Sequence, residues 1–328
     1  MILTTLITLA VILITLWGAL AIWYQAPVPL LFIILWVAIG SAAVIGVFKH
    51  TYIPLAVFLA AFIVLQTWWW LGVRPSNTRE WMPEVAEQTY GTVEGNLVTL
   101  HNVRNFDWRS STDYDPRWET HTYDLSTLTS VDLVLSYWGR PAIAHTMVSF
   151  GFNNGEHVVF SVEIRRKAGD KFSEIGGFFK DYELSILAST ERDSLRVRTN
   201  VRGEESYMYR INMPDGLPAA RALFLSYVDT ANQLREEPRF YNTLTANCTT
   251  IIYELAKKIV PGLPLDYRLL ASGYLPEYLF ELNALVGASS VQDYRMAGNY
   301  TERAKNAANS NDFSQAIRQG IPGITQTP

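Results

Sequence analysis

The sequence predicts an α+β soluble domain preceded by three transmembrane helices. Two patterns carry that reading. Residues 1–73 contain a single Lys, Arg, Asp or Glu, Lys49, and every other such charge lies beyond them. In the charged part, strand-like runs come first and helical runs follow, the order of an α+β domain. A third observation places candidate chemistry on this frame: the lone cysteine, Cys248, sits where a loop turns into a helix.

The apolar runs are 2–24, 29–48 and 52–73. Each is long enough to cross a hydrocarbon core of about 30 Å, which takes roughly 20 helical residues. The breaks at 25–29 and 49–52 are too short for anything but hairpins, and Trp17, Trp23, Tyr24, Tyr52 and Trp68 to Trp70 lie near the proposed ends as an aromatic belt. Lys49 is the only basic residue in either hairpin, so the positive-inside rule puts it in the cytoplasm. The N-terminus is then inside and everything after Arg74 outside, with Arg74 and Arg79 against the rule. A cleaved signal peptide does not fit Met1-Ile2-Leu3, which offers no positive n-region.

The expected division is a membrane domain over 1–74, a soluble domain over 75–310 and a C-terminal tail over 311–328. The chain after Ala297, rich in Asn, Ala, Ser, Gln and Gly, is expected to pack loosely or extend. A net charge of −4 over 328 residues gives no reason to expect a nucleic-acid partner or a polybasic patch. One cysteine cannot form an internal disulfide, so the redox compartment stays open.

In the soluble part, residues 96–103, 131–138, 194–199 and 206–211 read as strands from their β-branched and aromatic content. Residues 217–234 carry Ala220, Leu223, Phe224, Tyr227, Val228 and Ala231 on one helical stripe. The helix holding Cys248 follows, and 275–285 reads as another.

The run 144–152 has Val148, Phe150 and Phe152 on one parity and His145, Met147, Ser149 and Gly151 on the other. The next strand splits alike: Val158, Phe160, Val162 and Ile164 against His157, Val159, Ser161 and Glu163. If both apolar faces cover one core, cross-strand partners have equal parity and the turn has an odd number of residues. Asn153-Asn154-Gly155 supplies it, with Gly155 left-handed. His145 then falls opposite Glu163, Met147 opposite Ser161 and Gly151 opposite His157. Directly opposed Cβ atoms lie roughly 5 Å apart, so the carboxylate can orient the imidazole. The alternative is a cross-strand ion pair on a solvated face. His157, at the far end of the hairpin, is a weaker orienter candidate; His101 and His121 have no comparable partner in sequence and are given no role.

Ile251, Ile252, Leu255, Ala256 and Ile259 recur at helical spacing and Pro261-Gly262 ends the run. Asn247 is therefore the N-cap and Cys248 lies in the first turn. The positive helix end lowers a thiol pKa from its free value of roughly 8.5, which favours a nucleophile. The alternative is a buried, inert small hydrophobe. No metal or other cofactor is called for: the histidines lack ligand spacing and one cysteine cannot build a zinc site.

With His145, Glu163 and Cys248 in that order, the chain resembles the Lnb-like family of membrane proteins with a periplasmic domain. The resemblance rests on Asn102-Val103-Arg104-Asn105-Phe106, on Ala144 to Phe150, on Phe160 to Arg166, on Glu191-Arg192-Asp193, and on Pro238 to Asn242 running into Asn247-Cys248-Thr249-Thr250. It implies the circularly permuted branch of papain-like thiol enzymes, which includes lecithin:retinol acyltransferase, with the histidine strand first and the cysteine helix later. It also implies lipoprotein transacylation at a bacterial inner membrane: an acyl chain passes through a thioester on Cys248, activated by His145, to an amine. Partners would be the lipid bilayer and a lipoprotein or acyl-lipid substrate. Backbone N–H groups at the start of the Cys248 helix, with Asn247 or Asn242, are candidate oxyanion donors. Arg165, Arg192 and Arg239 are candidates for holding a phosphate or carboxylate, and exposed salt bridges explain them equally well. Two other readings stay open: a hydrolase, such as a peptidase or peptidoglycan amidase, and an inactive membrane-anchored binding module.

Overall fold

The computed structural model describes residues 1–213 and 216–324. It divides into two compact units. One comprises Met1–Arg79, Asp170–Glu183 and Arg239–Thr243, and the other the rest of the chain. The last four residues of the predicted tail lie outside the described residues.

The first unit is built on α1 (Ile2–Gln25), α2 (Pro29–Phe48) and α3 (Ile53–Thr67), the last continued by one π-helical turn over Trp68–Gly72. These match the three apolar runs within a few residues, and all three are long and apolar enough to cross a membrane. A helix satisfies every backbone group internally, which a bilayer demands. Prolines open α2 and α3, where a missing N–H costs nothing. Small residues bring α1 and α2 together: a Cβ on Gly40 would sit 2.4 Å from Thr15 Oγ1. Trp36 donates its indole N–H to Thr15 O at 2.9 Å and stacks on Phe58 at 5.1 Å. The segment Asp170–Glu183 is held on the helix ends. Gln25 Nε2 donates to the carbonyls of Phe179 and Lys180, and Phe179 packs with Ala21, Trp69 and Val73.

The second unit is organised by one sheet. Its strands are β1 (Tyr90–Glu94), β2 (Leu97–Arg104), β5 (Trp118–Asp124), β6 (Leu128–Tyr137), β7 (Ala144–Phe152), β8 (His157–Arg165), β9 (Glu183–Ser189) and β10 (Glu205–Arg210). The short β3 (Asp107–Trp108) and β4 (Tyr114–Asp115) pair separately. The order is β1-β2-β9-β8-β7-β6-β10, with β5 also on β2. The pairs β1–β2, β2–β5, β6–β7, β7–β8 and β6–β10 are antiparallel, and β2 and β9 run parallel where Arg104 meets Ser189. Helices after β9 are α4 (Glu191–Arg196), α5 (Leu217–Glu236), α6 (Cys248–Ile259), α7 (Leu275–Glu281), α8 (Val291–Gly298), α9 (Thr301–Asn306) and α10 (Phe313–Ile317). This is the α+β domain after membrane helices that the sequence predicts.

Both sheet faces are covered. On one, Phe160 stacks on Tyr227 of α5 at 4.8 Å and Phe150 meets Phe224 edge-on at 5.1 Å. On the other, Met147, Val159, Val134 and Met208 pack with Leu195, Tyr300, Ala304, Phe313 and Ile317. The chain after Ala297 therefore does not pack loosely. It roofs one face of the sheet, with Ile317 fully buried, because apolar residues in that polar stretch recur at helical spacing: Tyr300, Ala304 and Ala307, then Phe313 and Ile317.

Residues 194–199, read as a strand, are helical. They belong to α4 and a π-helical turn over Val197–Val201. Thr190 caps α4 through Asp193 N, and Asp193 is fully buried. It binds Arg104 through both oxygens at 2.7 and 2.9 Å, Phe106 N at 2.9 Å and Trp108 Nε1 at 2.8 Å. Four donors on one carboxylate fix α4 beside β2, and no strand would place it so. A second buried cluster ties the chain end to the sheet: Arg318 pairs with Glu191 and Asp132, and Ser149 donates to Glu191 at 2.6 Å.

Candidate active site

The β7–β8 hairpin has the register derived from parity. Met147 pairs with Ser161, Ser149 with Val159 and Gly151 with His157. Phe152 N donates to Glu156 O, so the turn is Asn153, Asn154 and Gly155, with Gly155 at φ +84°. Continuing that register, His145 faces Glu163, and its Nε2 lies 3.2 Å from Glu163 Oε1. The face is buried rather than solvated: the His145 side chain is 11 % exposed, so a weak surface ion pair is not what this arrangement is.

Ser161 lies between the two. Its hydroxyl donates to Glu163 Oε1 at 2.6 Å and therefore accepts from His145 Nε2–H, 2.7 Å away. That fixes the tautomer and leaves Nδ1 without those partners, while the Cys248 thiol lies close enough to His145 for each to favour the other's charged form. Arg198, in the turn after α4, reaches Glu163 at 3.4 Å and Glu204 at 3.3 Å. Parity already put Ser161 on the His145 face, two residues from Glu163, but a serine there carried no mark of its own. Arg198 was hidden by the strand reading of its segment.

Cys248 is the first residue of α6. Asn247 caps the helix: its side-chain oxygen accepts from the N–H groups of Thr249 and Thr250 at 2.9 Å each, and its own N–H donates to Thr250 Oγ1 at 2.8 Å. This reciprocal cap is why the helix starts here. The backbone N–H of Thr146, next to His145 on β7, lies close enough to the sulfur to favour its thiolate. Cys248 is half-buried.

Residues 114–273 match the family model described as the Lnb N-terminal periplasmic domain. The soluble domain belongs to the Lnb-like family. No curated protein and no solved structure matches the chain. The matched span of the Lnb-like domain holds His145, Ser161, Glu163, Arg198 and Cys248 together, so the whole constellation lies inside it. The chain is thus a membrane-anchored protein with a periplasmic domain, and its histidine strand precedes its cysteine helix.

The electrostatics of the Lnb-like site favour a charged pair. Burial and the Arg198 charge push the His145 imidazolium pKa down, but Glu163 and the thiolate more than offset them, so it is raised. Burial pushes the Cys248 thiol up, yet His145, the Thr146 N–H and the Thr249 hydroxyl leave it lowered. Glu163, despite burial, is held below the carboxylate range by His145, Arg198 and Ser161. A raised imidazole beside a lowered thiol favours the thiolate–imidazolium form of the pair.

The other candidates are taken up by the framework or fall in the other unit. Arg165 is buried, gives its guanidinium to the carbonyls of Val85 and Ala86 and lies over the Trp81 ring, so it is framework. Arg192 binds the carbonyls of Ser310 and Ala308. Asn247 is spent as the cap. Arg239 is exposed and, like Asn242, falls in the unit of the membrane helices. His157 binds Gly155 O at the turn. His101 stacks on Tyr90, while His121 does have a carboxylate partner, Glu119 at 2.8 Å, well away in sequence from the thiol. Among the described residues no cluster of metal-ligating side chains occurs.

Glu163→Gln tests the orienter. Without the carboxylate charge, burial and Arg198 push the imidazolium pKa down, and the thiol loses its cation earlier as pH rises. The pH window of the charged pair should narrow from its alkaline side, with activity falling about 10- to 100-fold, the usual cost of losing an orienting group. Alkylation of Cys248 measured against pH reads this without a substrate. A profile identical to that of the unmodified protein would remove Glu163 from the site.

Proposed function

We propose that this protein is a cysteine-dependent acyltransferase of the bacterial inner membrane, acting on lipoprotein or lipid acyl esters. The observation that carries the reading is a half-buried helix-start thiol beside an imidazole whose Nε2 is held by Ser161 and Glu163. The membrane helices support a lipid substrate, because they keep the domain at the bilayer surface where acyl esters are exposed.

In the first half-reaction the Cys248 thiolate attacks the ester carbonyl. The oxyanion forms at the positive end of α6, where the cap occupies the N–H groups of Thr249 and Thr250 and leaves that of Cys248 as the candidate donor. The His145 imidazolium gives its proton to the departing alkoxide, and an acyl thioester remains on Cys248. In the second, an amine attacks the thioester, His145 takes the amine proton, and the thiolate leaves with the acyl chain now in an amide. Two steps of modest barrier replace one difficult transfer.

The test is intact mass spectrometry of the full chain after exposure to a diacylated lipopeptide. The expected result is a hydroxylamine-labile acyl adduct on Cys248, followed by an N-acylated product. Release of free fatty acid with no amide product would make the protein a hydrolase, and absence of any adduct would leave a binding module.

A further inference from the structure

The membrane unit contains a cavity of about 600 Å³ lined only by apolar side chains. Its back wall is Ile22 of α1, Trp36 of α2 and Leu65 of α3, all buried; its rim is Phe32 and Leu35 of α2, Val64 of α3 and Pro27 of the α1–α2 hairpin, all exposed. The cavity therefore opens sideways between α2 and α3. These positions lie near the end of α1, the start of α2 and the end of α3. In a three-span hairpin those ends share one membrane face, the face from which the chain leaves at Arg74.

Water has no reason to fill this space. A buried water needs two to four polar partners, and the Trp36 N–H at the back is already given to Thr15 O. The volume is in the range of small-ligand sites, roughly 300–1,000 Å³. The exposed rim continues the lipid-facing surface of Leu31 and Ile34 on α2 and Leu59 and Ile63 on α3. Hydrocarbon is the material in contact with the opening. We infer that the three helices form a binding site for one fatty-acyl chain, taken laterally from the leaflet on the side of the soluble domain. The inference goes beyond the acyltransferase reading and does not need Cys248 to react.

The experiment places the full chain in phosphatidylethanolamine nanodiscs with either a diazirine-acyl phosphatidylethanolamine or a diazirine-acyl lipopeptide. Photocrosslinks are then mapped by mass spectrometry. The expected result is labelling concentrated at Ile22, Trp36 and Leu65 over the lipid-facing Leu9 and Leu13, in the unmodified chain and equally in Cys248→Ser. Enrichment from phospholipid alone identifies a resident bilayer lipid, and enrichment from the lipopeptide identifies an acylated protein terminus. Val64→Trp, at an exposed rim position that the fold does not need, should close the opening and reduce wall labelling to the level at Leu13. Uniform labelling of the three helices, or wall labelling that survives Val64→Trp, overturns the inference. Because the readout is the same in Cys248→Ser, failure of the acyltransferase reading leaves it untouched.

Discussion

Cys248→Ser is expected to lower acyl transfer by about three orders of magnitude or more, and His145→Ala by a similar factor, with the double variant no worse than either. The two side chains act as one unit, since the imidazolium favours the thiolate beside it and the thiolate favours the imidazolium. A serine hydroxyl in the same place stays protonated, because its pKa lies far above anything this helix start and imidazole supply. Neither substitution should disturb the fold. The start of α6 is set by the Asn247 cap rather than by the thiol, and Thr249, Ile251 and Leu255 provide its buried contacts. Circular dichroism and thermal melting should be unchanged while the acyl adduct disappears. An active Cys248→Ser protein would end the nucleophile assignment, and losses that multiplied in the double variant would mean that the two residues serve separate steps.

What the sequence revealed, and what it hid, follows from the periodicity each segment carries. The β7–β8 register was legible because apolar residues kept one parity through two strands and the turn had a glycine where a left-handed residue was needed. The cap at Asn247 was legible because capping is local. β9 was not, since Glu183–Ser189 is buried throughout and a strand covered on both faces shows no alternation. Residues 194–199 alternate Leu195, Val197 and Thr199 like a strand, but they are helical, with Thr190 capping the first turn and the buried Asp193 tied to Arg104, Phe106 and Trp108. The surroundings of the arginines were not legible for a related reason. Whether Arg165 or Arg192 faces a ligand or a carbonyl depends on chain segments up to 118 residues away, and both face carbonyls.

That same comparison changes what the family-like stretches mean. Asn102 to Phe106 and Glu191 to Asp193 carry no reacting group. Arg104 and Asp193 form one buried pair between β2 and α4, and Glu191 holds Arg318. Removing one partner of a buried pair typically costs about 3–5 kcal/mol. Such residues set the position of the turn that brings Arg198 to Glu163, so the resemblance outside the hairpin and α6 is largely a resemblance of framework.

A reporter fused to the C-terminus should show alkaline phosphatase active and a cytoplasm-dependent fluorescent protein dark. Three spans joined by hairpins too short to hold a domain force the soluble part onto the side opposite the N-terminus, and Lys49 in the α2–α3 hairpin selects the cytoplasm for that turn. Arg74 and Arg79 lie beyond α3 and weigh against this by simple counting. The structure lightens that objection: Arg79 is paired with Glu183 at 2.9 Å, and the Glu183 side chain is almost fully buried, so the pair carries no net charge at the membrane surface. A neutralised arginine resists export less than an isolated one. Arg79→Glu should accordingly leave the reporter pattern unchanged, whereas Lys49→Glu, which removes the only cytoplasmic anchor, should produce a mixed population. A fluorescent, phosphatase-negative fusion of the unmodified chain would reverse the orientation, and a lipoprotein terminus displayed outside the cytoplasm would then be out of reach of Cys248.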